Sequence, residues 1–431
     1  MLKEHFGINE KGHLTIRGYD AVELARKFGT PLYVMDEVRI RENYRRFRAA
    51  FSSWPKLLVC YAYKANNTLA ICKILQREGA GAEVASLIEM KIALEVGVPP
   101  EKIVFNGPNK GEGELEAAVR EGVLVNLDSM DEFERIVSVA SALGKTARIG
   151  FRVNPNIKPP THPYIMAGAR ESKFGLDLES GEALEAYRRA SRERQVKIES
   201  VHCHIGSQIL EPEPFIEEAR KIMEFFSEVS KICTVEKVDF GGGVGIPYKG
   251  EKPMPLERMA EEMLGEVRRV VERERLAPPT VVLEPGRFLV ADAGVLLLTV
   301  GAFKERKTFP SWVYADAGMN ALVRPALYGS YHHIELANRM RDEHDCLVNV
   351  AGPLCETSDV LGWDRRLPRP KPGDLLAVFD TGAYGLSMSS QHTAHPRPAV
   401  VLVSDRGVEV IRERETFEDL TRLDRIPAWL A

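Results

Sequence analysis

Residues 57–85, LLVCYAYKANNTLAICKILQREGAGAEVA, hold the pattern that decides the fold. Residues 57–63 are a short apolar run, 68–78 repeat apolar side chains at helical spacing, and 80–85 return to a short apolar run. Strand, helix, strand is one β/α unit. Outward from it the alternation recurs, with apolar runs at 102–106, 124–128, 147–153, 198–204, 237–240 and 280–284. Helical patterns such as 111–121, 214–231 and 256–275 separate them, each bounded by Gly, Pro or an acidic first turn. Eight such runs predict an α/β protein built on a closed parallel (β/α)8 barrel of the TIM type.

Beyond Glu284 the long helices stop. Residues 288–303, 311–316, 346–351, 374–380 and 398–412 read as strands separated by turns, which predicts a β-rich C-terminal domain. KGHLTI (11–16) and TPLYVMD (30–36) also read as strand, and the chain can return to pair them with that late domain. The expected division is a barrel over 36–285 and a β-rich domain over 286–431, joined by the N-terminal segment 1–35.

The 431 residues are 44% hydrophobic and 28% charged, which excludes a disordered or fibrous chain. Lys plus Arg number 58 against 62 for Asp plus Glu, and the signs are interspersed, so no nucleic-acid surface is expected. The longest uncharged apolar stretch, 293–303, falls short of the roughly 20 residues of a membrane helix, and the first 14 residues hold no apolar signal core. A cytoplasmic protein that binds no membrane is expected. Cys60, Cys72, Cys203, Cys233, Cys346 and Cys355 form no CxxC pair, which suits reduced thiols better than disulfides or zinc.

In such a barrel the chemistry sits at the C-terminal ends of the strands. Polar residues gather there: Lys64 after the first run, Glu83 and Ser86 at the second, Asn106, Asp128, then Arg152 with Asn154. His204 and Ser207 follow the sixth, Gly241, Gly242 and Gly243 the seventh, and Glu284 with Arg287 the eighth. Any one of them is ordinary for a strand end; the signal is their coincidence over eight strands. DFGGGVG (239–245) alone is more often just a tight turn. Followed after the next strand by Glu284-Pro285-Gly286-Arg287, it suggests backbone amides around the phosphate of a cofactor. It is not a GxGxxG after a first strand, so a dinucleotide fold is not expected. Lys64, in YAYKANN (61–67), is either a solvated lysine or, if desolvated at the barrel mouth, a neutral amine able to form a Schiff base. A phosphate cradle and such a lysine in one mouth describe pyridoxal 5'-phosphate. His202 and His204 share a strand face; no acidic or histidine partner stands at ligand spacing, so no metal is expected. His204 suits packing on a cofactor ring, His202 burial in the barrel, and Cys203 packing on the other face.

YAYKANN, HCHIGSQI (202–209), DFGGGVG, LEPGRFLVADAG (283–294), DAGMNALVRPALYGSYHHI (316–334), AGPLCETSD (351–359) and FDTGAYGLSMSS (379–390) occur in this order. Together they resemble the fold-type III pyridoxal phosphate decarboxylases, most closely the diaminopimelate decarboxylase family, from about Gly29 to Val403. The resemblance implies an alanine-racemase-like barrel followed by a β domain, in a homodimer with shared active sites. It implies that Lys64 carries the cofactor, His204 stacks on its ring and Glu284 keeps the pyridine nitrogen protonated. Ser207, Gly242, Gly243, Pro285, Gly286, Arg287 and Tyr384 would surround the phosphate. Cys355 of the partner subunit would protonate the carbanion left when CO2 departs.

The chemistry agrees with those roles. A carboxylate beside the ring nitrogen favours its protonation and makes the ring an electron sink, whereas the arginine of racemases on this fold does the reverse. Arg287, Arg324, Tyr328, Glu356 and Tyr384 would read the substrate: an arginine fork binds a carboxylate and a glutamate an ammonium. Arg324 and Glu356 could instead pair with each other or across a dimer. The implied reaction is decarboxylation of meso-2,6-diaminopimelate at its D centre to L-lysine and CO2. GAEVAS (81–86) and QHTAHPRP (391–398) depart from the commoner family pattern. They keep in view a decarboxylase for D-lysine, D-ornithine or a carrier-bound amino acid. A non-catalytic pyridoxal phosphate protein of barrel-only type would stop after the eighth strand, and this chain does not. The segment 158–173, after the fifth strand, is expected to act as a lid.

Overall fold

The computed structural model describes residues 3–430. The chain divides into two compact units. One, made of Arg41–Pro247 and Glu251–Leu289, is the barrel. Its strands are Leu57–Ala62, Gly81–Val84, Ile103–Phe105, Leu124–Leu127, Ala147–Asn154, Val196–His202, Lys237–Asp239 and Thr280–Leu283, so each of the eight expected runs is a strand. Each pairs in parallel with the next, and the eighth closes on the first with Val282 opposite Leu58. The intervening helices include Leu69–Arg77, Glu112–Glu121, Glu213–Ser230 and Leu256–Glu274, within a few residues of the sequence reading. Their ends follow local chemistry. The Ser129 hydroxyl accepts from the Glu132 amide to start Met130–Leu143, and Gly144, in the left-handed region, ends it.

Strand alternation then sorts the barrel interior into layers. Cys60, Val104, Leu124 and Val282 form a buried apolar cluster with Leu58 against it. Two residues further along three of those strands stand Asn106, Asn126 and Glu284, with Glu83 beside them. The same alternation that makes a dry layer below makes a polar layer above.

Among the described residues, the other unit takes in the chain up to Ile40, Tyr248–Gly250 and the chain from Val290 on. Its central strand, Gly294–Lys304, pairs antiparallel with Leu32–Asp36 and Leu375–Val378, and after a bulge near Val300 with Ser311–Ala315. Leu32–Asp36 also runs parallel to Ala399–Ser404, so the N-terminal segment does join the late sheet. Leu32, Val34, Val295, Leu297, Ala377 and Val401 fill its core together with Leu14, Ile16 and Leu24. Three details differ from the sequence reading. The run at 288–303 opens as the helical turn Arg287–Val290 and becomes strand only at Gly294, and 398–412 is a hairpin of Ala399–Ser404 and Gly407–Arg412. Ile334–Leu336 and Val360–Leu367 are additional strands. The second reads VLGWDRRL, whose charged half is largely exposed, so it lacks an apolar signal. No helix among the described residues is long and apolar enough to cross a membrane.

Candidate active site

The polar layer is one connected network. The Asn106 side-chain amide donates to Glu284 Oε1 at 2.7 Å and to Glu83 Oε1 at 3.3 Å. Its own oxygen accepts from Asn126 at 2.9 Å, and Asn126 in turn accepts from the Ser200 hydroxyl at 2.8 Å. Lys64, on the helical turn that follows the first strand, is ion-paired with Glu83. The lysine side chain is 43% exposed and the glutamate 1%, so Lys64 meets solvent and a counter-charge rather than the desolvated setting its strand position suggested. Its amine is accessible at the mouth.

His202 Nε2 lies 3.5 Å from Glu284 Oε2, and His202, Asp239 and Glu284, all buried, place one ligand-type atom each within 4.8 Å of one another. The sequence offered no acidic partner for His202 because Asp239 and Glu284 arrive on other strands. Two carboxylates this close in a dry site do not both ionise. Burial and the neighbouring Glu284 charge push Asp239 well above the usual carboxylate range. Burial also opposes ionisation of Glu284, but His202, Lys64 and the Asn106 amide outweigh it and hold this carboxyl below the usual carboxylate range. Asp239 therefore keeps the proton and Glu284 the negative charge.

Above this layer three loops stack. Glu284 donates its amide to Gly241 at 2.7 Å, and Ile209 its amide to Gly243 at 3.0 Å. The approach needs glycine: a Cβ at Gly242 would lie 2.1 Å from the Glu284 carbonyl oxygen, and one at Gly243, with φ +117°, 2.3 Å from that of Gly206. Arg287 reaches the Ser207 hydroxyl at 2.8 Å. The Gly242 amide donates to His204 Nδ1 at 3.3 Å, which leaves the imidazole hydrogen on Nε2. Burial, with Arg152 and Lys64 nearby, drives His204 well below the usual histidine range, so the ring is neutral. The segment 158–173 packs on the same loops: Ala167 and Gly168 donate to the Ile205 carbonyl, and the Thr161 hydroxyl to that of Ser207.

The barrel thus brings together Lys64, His204, Ser207, Gly242, Gly243, Glu284, Pro285, Gly286 and Arg287. This set fits pyridoxal phosphate: an accessible amine, an ionised buried carboxylate for a ring nitrogen, a neutral imidazole, and glycine loops with an arginine for a phosphate. Arg324, Tyr328, Cys355, Glu356 and Tyr384 belong to the other unit. There Arg324 is buried against His332 and Ser330, Cys355 is exposed, and Glu356 faces His392 at 3.4 Å. Tyr384 sits half-buried with φ +56°, and Tyr328 half-buried at the end of the short helix Arg324–Tyr328. The partners His332 and Ser330, and the proton-bearing Asp239, were not singled out from sequence, although DFGGGVG and YGSYHHI contain them.

Comparison with known proteins agrees with this chemistry. Residues 37–291 match the family described as pyridoxal-dependent decarboxylase, pyridoxal binding domain. The chain is 45% identical to a diaminopimelate decarboxylase of Methanocaldococcus jannaschii over 97% of this chain and 96% of that protein. With that of Bacillus subtilis the identity is 39% over 96% of each. The crystal structure of the M. jannaschii diaminopimelate decarboxylase in complex with L-lysine superposes with a TM-score of 0.93 at 44% identity, covering 99% of both chains.

Proposed function

The chain belongs to the pyridoxal-dependent decarboxylases, and from that membership we propose that it removes CO2 from the D centre of meso-2,6-diaminopimelate, releasing L-lysine. It is a pyridoxal phosphate-dependent carboxy-lyase. The observation that carries the reading is the buried, ionised Glu284, held by Asn106 in the same barrel mouth that presents Lys64.

The bound cofactor supplies an electron sink for the pair left when CO2 departs. Glu284 would hold the ring nitrogen protonated, and Asp239, which keeps its own proton, leaves Glu284 as the anion of the pair. His204, neutral, would pack against the cofactor ring without adding a cation. Lys64 provides the amine that tethers the cofactor. Ser207, Gly242, Gly243, the Pro285-Gly286-Arg287 turn and Tyr384 hold its phosphate.

Arg287, Arg324, Tyr328, Glu356 and Tyr384 read the substrate, with Arg324 on the distal carboxylate and Glu356 on the distal ammonium. Cys355 of the partner subunit in a homodimer delivers the proton to Cα. In this reading the functional modules are a cofactor barrel over 36–285 and a β-rich domain over 286–431 joined by 1–35. The enzyme works in the cytoplasm and binds neither nucleic acid nor membrane; for nucleic acid, the interspersed charge supports this.

The test is CO2 release by the cofactor-loaded protein offered meso-diaminopimelate, D-lysine, D-ornithine and L-lysine in parallel, with product chirality determined. Turnover of meso-diaminopimelate to L-lysine, with little from the others, is expected. No turnover of it by protein that retains the cofactor would transfer the assignment to a D-amino acid or a carrier-bound substrate.

A further inference from the structure

The Arg324 guanidinium is held from three directions within its own unit. His332, fully buried, presents Nε2 to Arg324 Nη1 at 2.8 Å. The Ser330 hydroxyl accepts from Nη2 at 3.2 Å. The Tyr248 ring lies 4.8 Å from the guanidinium carbon and meets the His332 ring edge-on at 5.2 Å.

The protonation of His332 follows from what its two nitrogens face. Nδ1 lies 2.9 Å from the Phe379 carbonyl oxygen, which only accepts, so Nδ1 carries a hydrogen. Arg324 Nη1 only donates, so Nε2 offers a lone pair. One neutral tautomer satisfies both contacts. An imidazolium would set an N–H against the guanidinium. Imidazole, hydroxyl and aromatic face each help to set the direction of the guanidinium.

We infer that His332 is a positioning residue for substrate recognition: its Nε2 lone pair fixes the direction of the Arg324 fork and so sets the enzyme's preference for a distal carboxylate. The inference rests on the proposed role of Arg324. His332 touches neither substrate nor cofactor in this account; it acts through the arginine.

The readout is competitive inhibition of meso-diaminopimelate turnover by L-lysine and by cadaverine, which differ only in the distal carboxylate. Arg324→Gln tests the underlying reading and should erase the preference for L-lysine. His332→Phe and His332→Asn both remove the acceptor facing Arg324, though Asn can still donate to Phe379. Each should weaken L-lysine about ten- to hundredfold and leave cadaverine unchanged. His332→Gln restores an acceptor near the Nε2 position and should recover most of the preference, and it serves as the folded control should the Phe variant not fold. An undiminished preference in the Asn and Phe variants overturns the inference. So does rescue by Asn but not Gln, because that pattern assigns His332 to anchoring the Phe379 carbonyl. Loss in all the His332 variants with none in Arg324→Gln would refute the reading of Arg324 itself.

Discussion

Asn106 and Glu284, separated by 178 residues in the chain, meet at 2.7 Å inside the barrel, Nδ2 donating to Oε1. The orientation of that amide is fixed by the next bond, since its oxygen must accept from Asn126. Asn106→Leu leaves Glu284 with one donor fewer beside a competing carboxyl, Asp239. A hydrogen bond to a charged group contributes about 1.5–3 kcal/mol, so kcat should fall about ten- to hundredfold. Cofactor binding, followed by absorbance titration, should change little. A kcat within twofold of the parent would disconnect Asn106 from the chemistry.

Glu284→Gln replaces the anion by a neutral amide of the same shape. Without the charge that favours a protonated ring nitrogen, turnover should drop by about a hundredfold or more while the cofactor still binds. Steady-state rates beside equilibrium dialysis of pyridoxal phosphate separate the two effects.

Lys64→Ala should abolish the mass increment that borohydride treatment fixes on the cofactor-loaded chain, and with it nearly all turnover. Peptide mass mapping of the parent protein should locate that increment at Lys64. Its appearance on another lysine would reassign the tether.

If Cys355 acts from the partner subunit, two inactive proteins should repair one another. Mixing Lys64→Ala with Cys355→Ala under subunit exchange forms hybrids with one intact site each, so about a quarter of the parent activity should return for an even mixture. Additive residual activities alone would place Cys355 within its own subunit's site.

Glu199 gives a stability prediction remote from catalysis. Burial opposes its ionisation, but a two-pronged contact from Arg148 at 2.8 and 2.9 Å and Lys237 at 2.9 Å bring the carboxyl from 4.5 down to about 2. The folded value lies below the unfolded one, so this stabilisation is complete above pH 4.5 and fades as pH falls towards 2. Glu199→Gln should cost about 2–3 kcal/mol near neutral pH and flatten the acid limb of stability across that window. Urea unfolding midpoints at a series of pH values test it; parallel acid limbs in parent and variant would contradict it.

Sequence determined the barrel because strand and helix periodicities are local. Eight apolar runs separated by helical stretches point to a closed parallel barrel, and the strand ends then locate the mouth, where Lys64, His204, the glycine run and Glu284 stand. The same locality explains the misses at Val360–Leu367, half of it charged and exposed, and at 288–303, where a helical turn of buried apolar residues has no period to distinguish it from strand.

Only the tertiary structure decided the charge states. Asp239 and Glu284 end the seventh and eighth strands and look equivalent in sequence, yet one keeps its proton and the other does not. The difference lies in Lys64, His202 and Asn106, brought in from the first, sixth and third strands to face Glu284. Likewise Arg324 was legible as an arginine, but its orientation depends on His332, whose tautomer is set by the Phe379 carbonyl from a distant strand end. Periodicity and spacing are properties of neighbours along the chain. Protonation and orientation are properties of neighbours in space, where a buried group takes its charge from whichever side chains the fold sets against it.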